Sequence, residues 1–113
     1  MTIDAVRAQT KTVTRRHVDT WKDLKPGDRL TLIEKGMGLP KGEHQVVLAD
    51  VEITDVRVEP IGMVTFEKNA TRREGMPRLT AAQFIRFWLD AHGYRWPRGD
   101  ARTECRRIEW RYL

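Results

Sequence analysis

Hydrophobic spacing divides the chain into short extended runs and one well-formed helix. The helix is TAAQFIRFWLDAHG, where Ala81, Phe84, Ile85, Trp88 and Leu89 recur at i, i+3, i+4, i+7 and i+8. Thr80 and Gln83 are spaced for a capping box, and Gly93 supplies the stop. Phe87 falls off this apolar stripe, which reads as core. The longest strand signal is VVLADVEITDVRVE, residues 46–59. Val51 and Ile53 share a face, but Val56 and Val58 are out of phase with them. A bulge near Asp55 would restore the phase, and bulges accompany sheets that curl.

Other elements are shorter. IDAVRA, residues 3–8, predicts one helical turn, and KTVTRR, residues 11–16, an extended segment. In LKPGDRLTL, Pro26, Gly27 and Asp28 form a turn that feeds a strand in which Leu30 and Leu32 alternate with polar neighbours. GMGLPKGEHQ, residues 36–45, reads as a loop. TFEKNATRREG predicts a short helix with Thr65 as N-cap and Gly75 as the left-handed stop. The final RIEWRYL alternates Ile108, Trp110 and Tyr112 with Arg107, Glu109 and Arg111, a half-buried strand with a charged outer face. The pattern is that of one mixed α+β domain over residues 1–113, with barrel-like closure of its strands and helices inserted late.

Charge changes the picture once it is located. Residues 1–67 hold ten Lys and Arg against eleven Asp and Glu, whereas residues 68–113 hold eleven against five. Ten of those eleven cations are arginine, the side chain suited to bidentate phosphate contacts. The basic half is either an electrostatic footprint for nucleic acid, with Arg102, Arg106 and Arg107 as contact residues, or a solubilising surface. KTVTRR poses the same choice. It is a charged edge strand, or it lines a site for something polar and anionic.

Several chemistries drop out. His17, His44 and His92 have no metal-ligand spacing, and the lone Cys105 cannot complete a zinc site, so no metal or other cofactor is expected. Cys105 reads as a buried filler. GMGLPKG lacks the spacing of a phosphate-cradling loop, and the chain contains no serine. No apolar run is long enough to span a membrane, and no signal-peptide core precedes Lys11. A cytoplasmic protein without a membrane partner is the expectation.

Taken in order, KTVTRR, LKPGDRLTL, VEITDVRVE, REGM, a helix and the closing IEWRYL resemble the ASCH domain over nearly the whole chain. The resemblance implies a PUA-like fold, a small β-barrel with two or three peripheral helices, and an RNA or nucleoside partner. It extends to bacterial N4-acetylcytidine amidohydrolases, which use a Lys, a Thr and a Glu. On the matching motifs these would be Lys11, Thr14 and Glu74, with Arg15 and Arg16 beside them as substrate-binding residues. By itself Glu74 reads as a surface carboxylate at a helix end.

The resemblance thus implies a binding domain with a polar pocket. Its alternatives are an amidohydrolase and a metal-independent ribonuclease. In the amidohydrolase, a desolvated Lys11 would activate Thr14 or a water held by it, Glu74 would orient the lysine or relay a proton, and Arg16 would hold developing negative charge. Strict strand alternation places Thr12, Thr14 and Arg16 on one face and Lys11 on the other; for Lys11 to reach Thr14 it must lie in the turn before the strand, or the strand must twist there. Arg15 stands where relatives carry an apolar residue.

Overall fold

The computed structural model describes residues 3–33 and 47–113; the expected 36–45 loop lies outside the described residues. The elements in chain order are α1 (Ile3–Arg7), β1 (Val13–His17), β2 (Arg29–Ile33) and β3 (Val47–Pro60), then a 3-10 helix (Ile61–Phe66), α2 (Ala70–Arg73), α3 (Ala81–Ala91) and β4 (Glu104–Tyr112). The strands form one curled antiparallel sheet, half of a barrel, in the order β1-β4-β3-β2. No helix among the described residues is long and apolar enough to cross a membrane.

β3 is the spine of the sheet, pairing β2 along its first half and β4 along most of its length. The register shifts between Ile53 and Asp55, so the bulge falls at Thr54. It restores the apolar phase: Ile53 pairs with Trp110 and Val56 with Ile108. These residues join Val6, Leu32 and Val51 in a core on one face of the sheet, beneath α1. A second core forms under α3, where Phe84, Trp88 and Leu89 meet Ile61, Val64, Ala70 and Cys105. Thr80 and Gln83 make both bonds of the capping box, and Gly93 has φ +80° after the helix.

Two expectations need correction. The helix expected from Thr65 starts at Ala70, behind Asn69, and has four residues. Thr65 instead lies in the 3-10 helix. Ile61 and Val64, three apart, match the 3-10 period and are both buried. Backbone bonds from Ile61 N to Thr103 O and from Gly62 N to Ala101 O, each 2.8 Å, hold this turn against the approach to β4. A Cβ on Gly62 would lie 2.8 Å from the Ala101 carbonyl oxygen, so the close approach requires glycine. The second correction concerns β4. Its charged face is covered at Arg107, which is 2% exposed, while Glu109 is half-buried and Arg111 stays exposed as expected.

Candidate binding site on the β1–β4 strands

The strand register sets up an electrostatic problem on the second face of the sheet. Arg15 of β1 stands opposite Arg107 of β4, which stands opposite Arg57 of β3. Like charges directly across strands repel. The chain answers with carboxylates carried on the segment between β3 and α3. Glu67 Oε1 accepts from Arg15 Nη2 at 2.9 Å and from Arg107 Nε at 2.7 Å. Glu74, which ends α2, accepts from Arg15 Nη1 at 2.7 Å. Glu59 takes Arg57 at 2.6 Å, and Glu109 lies 2.8 Å from Arg107 and 2.9 Å from Arg73. The 3-10 helix and α2 therefore place acid over the arginine row.

Lys11 is drawn into the same network. Its Nζ donates to the carbonyl oxygens of Val13 at 2.9 Å and Glu74 at 2.7 Å, and lies 3.6 Å from Glu74 Oε1. The Tyr112 hydroxyl donates to the Lys11 carbonyl, and Thr12 N donates to Arg73 O at 2.9 Å, tying the start of β1 to α2. Lys11 and Glu74 are each 3% exposed. Burial pushes the Lys11 ammonium below its ordinary pKa against the pull of Glu74. Burial likewise pushes the Glu74 carboxyl up against Lys11 and Arg15. The Cys105 thiol, buried beside them, is pushed up to about 12, an inert state.

Thr14 and Arg16 lie on the opposite face of β1, where their cross-strand partners are Ile108 and Arg106. Neither side chain makes a hydrogen bond or ion pair among the described residues, and Arg16 Nε is buried without a partner. Among the described residues, Arg106 donates only to the Val18 carbonyl, at 2.9 and 3.2 Å. This second pair of facing arginines thus meets no carboxylate among the described residues. The structure brings together Lys11, Arg15 and Glu74; Thr14 and Arg16 stand opposite Ile108 and Arg106, with Arg16 still within electrostatic reach of Lys11. Arg102 sits on an exposed turn, paired with Asp100 at 2.9 Å. Arg107 is inside, so a polyanion would not reach it. Glu59 and Glu67 escaped the sequence reading because their role depends on strand register and on what covers the sheet.

Among the described residues no group of three or more His, Cys, Asp or Glu is placed to hold a metal ion. No family model, curated protein or solved structure matches the chain.

The network has an acid-side signature. Burial would raise Glu67, but Arg15, Arg107 and Arg73 outweigh it and hold the carboxyl below its ordinary 4.5; Arg107 and Arg73 do the same for Glu109. Both contributions to stability are complete above 4.5 and are lost as pH falls through the lowered values. Glu74 has the opposite sign: its contribution is complete below 4.5 and declines as pH rises through its raised value. Urea unfolding from neutral pH down to about pH 3 should therefore show a loss of stability on the acid limb. Glu67→Gln should flatten that limb. An acid limb unchanged in Glu67→Gln would remove Glu67 from the centre of the network.

Proposed function

We propose that the protein is an ASCH-type, PUA-like domain that binds RNA or a nucleoside on the face of β1 and β4 carrying Thr14, Arg16 and Arg106. One observation carries this reading. Two rows of facing arginines cross the same strands, and only the row on the Lys11 side has carboxylates to balance it. The uncompensated Arg16–Arg106 pair is a site whose counter-charge comes from a ligand, and a phosphate or the polar edge of a base supplies it. The curled half-barrel is consistent with the PUA-like class, and the four-residue α2 and short α1 with its peripheral helices.

The amidohydrolase reading has one support, the lowered pKa of Lys11. Against it, a general base must come within hydrogen-bond reach of the hydroxyl it activates. Lys11 Nζ is engaged by two carbonyls, lies 3.6 Å from Glu74, and makes no hydrogen bond to Thr14 among the described residues. The network therefore favours a structural role for Lys11, Arg15 and Glu74 and a binding role for Thr14 and Arg16.

NMR titration with cytidine, N4-acetylcytidine and a short single-stranded RNA tests the reading. Binding is expected to shift amides of β1 and β4, with the acetyl group retained and the RNA intact. Arg16→Ala should weaken binding about tenfold or more, since a hydrogen bond to a charged group contributes roughly 1.5–3 kcal/mol. Failure of all three ligands to bind would end the proposal. Loss of the acetyl group, abolished in Lys11→Ala, would put the amidohydrolase in its place. Cleavage of the RNA would favour the ribonuclease.

A further inference from the structure

We infer that the groove between α1 and α2 is a second contact surface, a track for the phosphates of a single-stranded nucleic acid. The inference rests on the binding function proposed above but uses different residues. A concavity of about 880 Å³ runs between the two helices, with Arg7 on α1, Arg72 on α2, and Arg78 beyond the turn at Gly75; Asp4 is the acid along its lining. An adjoining groove of about 310 Å³ shares Thr10 and Arg72 with it and adds Thr12, Asn69 and Arg73, with no carboxylate in its lining. The two form one continuous cationic channel.

Three features separate this channel from an ordinary charged surface. First, the side chains of Arg7, Arg72 and Arg78 make no ion pair or hydrogen bond among the described residues, although all three are exposed. Arg86 and Arg98 are likewise unpaired among the described residues, but Arg86 lines a concavity that also holds Asp90 and Asp100, and Arg98 is not in that lining. Second, the walls are fixed to each other through the residues that lead into β1. Lys11 N donates to the Ala5 carbonyl of α1 at 3.2 Å, and Thr12 N to the Arg73 carbonyl of α2 at 2.9 Å. Third, Gln9 and Asn69, both lining the smaller groove, hold left-handed backbone at φ 59° and 57°. For a glutamine that conformation is costly, and such strain gathers where the chain must shape a site.

The lining also says what the channel reads. Guanidinium groups and threonine hydroxyls suit phosphate oxygens. No aromatic side chain lines either groove, so there is no platform on which a base could stack. Contacts here are to backbone, and they are independent of sequence. The cations lie within concavities of about 880 and 310 Å³, which take a few nucleotides of one strand and cannot enclose a duplex. Because the channel passes the residues that lead into β1, a strand lying in it would be delivered towards the face that carries Thr14 and Arg16.

The test is fluorescence anisotropy with a labelled single-stranded RNA across a salt series. Each phosphate neutralised adds about 0.7 to the log–log salt slope of a single strand. The triple variant Arg7→Gln, Arg72→Gln, Arg78→Gln should therefore lower the slope by about 2, equally for two unrelated sequences. A charge-matched control, Arg86→Gln, Arg95→Gln, Arg98→Gln, removes three exposed arginines outside the channel and should leave the slope unchanged. Thermal melts should show both variants folded, since all six side chains are exposed. If the groove variant keeps the wild-type slope, or the control loses as much, the track is overturned. Weakening by Arg16→Ala in that case leaves the proposed function standing. Displacement of the RNA by inorganic phosphate at matched ionic strength would overturn the track in favour of a single-anion site. Absence of RNA binding by the wild type at low salt would overturn the track, and nucleoside binding in the NMR titration would then still leave the proposed function standing.

Discussion

Replacing Glu74 with alanine is expected to lower folding stability by about 3–5 kcal/mol. The carboxylate is 3% exposed and is the nearest acid to both Lys11 and Arg15, whose side chains are themselves out of solvent. Removing it strands Lys11 in a low-dielectric setting and leaves Arg15 to Glu67, at 2.9 Å, and Glu59, at 3.6 Å. Arg15 loses the bond at Nη1 and cannot shed its proton, while Lys11 loses its paired carboxylate altogether. Removing both partners should hurt less than removing one. The double variant Glu74→Gln, Arg15→Met should therefore lie closer to wild type than the sum of its singles, a coupling read directly from urea unfolding. The result also separates the two readings of the network. A Glu74→Gln protein that keeps wild-type stability but loses turnover of an acylated nucleoside would make the carboxylate catalytic. Loss of stability with binding intact makes it structural.

A comparable loss, about 3–5 kcal/mol, is expected for Trp88→Ala. Trp88 is 2% exposed at the centre of the core under α3, so its removal empties a large volume between well-packed neighbours. Its indole also has a second task. Nε1 donates to the Arg15 carbonyl at 2.8 Å, at the point of β1 between Thr14 and Arg16. Trp88→Phe keeps most of the packing and deletes that bond, for a cost of about 1 kcal/mol. If the bond fixes the backbone that presents Arg16, Trp88→Phe should weaken RNA or nucleoside binding beyond what its stability loss explains. Unaltered affinity in Trp88→Phe would confine Trp88 to the core.

Local pattern carried much of the fold. The capping box of α3, its apolar stripe and the phase slip in β3 are all consequences of nearest-neighbour chemistry, and all three are visible in the residues themselves. The helix near Thr65 was misplaced because its length is decided by Ile61 and Val64, which turn with the 3-10 period to reach a core invisible in that stretch. Lys11 lies in the approach to β1 rather than within it, so alternation alone does not fix where its side chain goes. What alternation cannot supply is which face will be covered. Arg107 has the pattern of an outward residue, and it is buried only because Glu67 and α2 descend on that side of β4. The pairing of Arg15 with Arg107, and of Arg16 with Arg106, depends on a register between strands some ninety residues apart.

The balanced network has a consequence for encounter at a distance. Lys11, Arg15, Arg57, Arg73 and Arg107 are matched by Asp55, Glu59, Glu67, Glu74 and Glu109. Ten charges thus cancel within one compact region, and an approaching molecule several Debye lengths away feels none of them. The formal net charge of +5 is left entirely to the remaining residues. The long-range field, and with it any acceleration of diffusional capture of a polyanion, is set by residues that do not hold the sheet together. Association rate and folding stability can consequently drift independently in this protein, through separate sets of arginines.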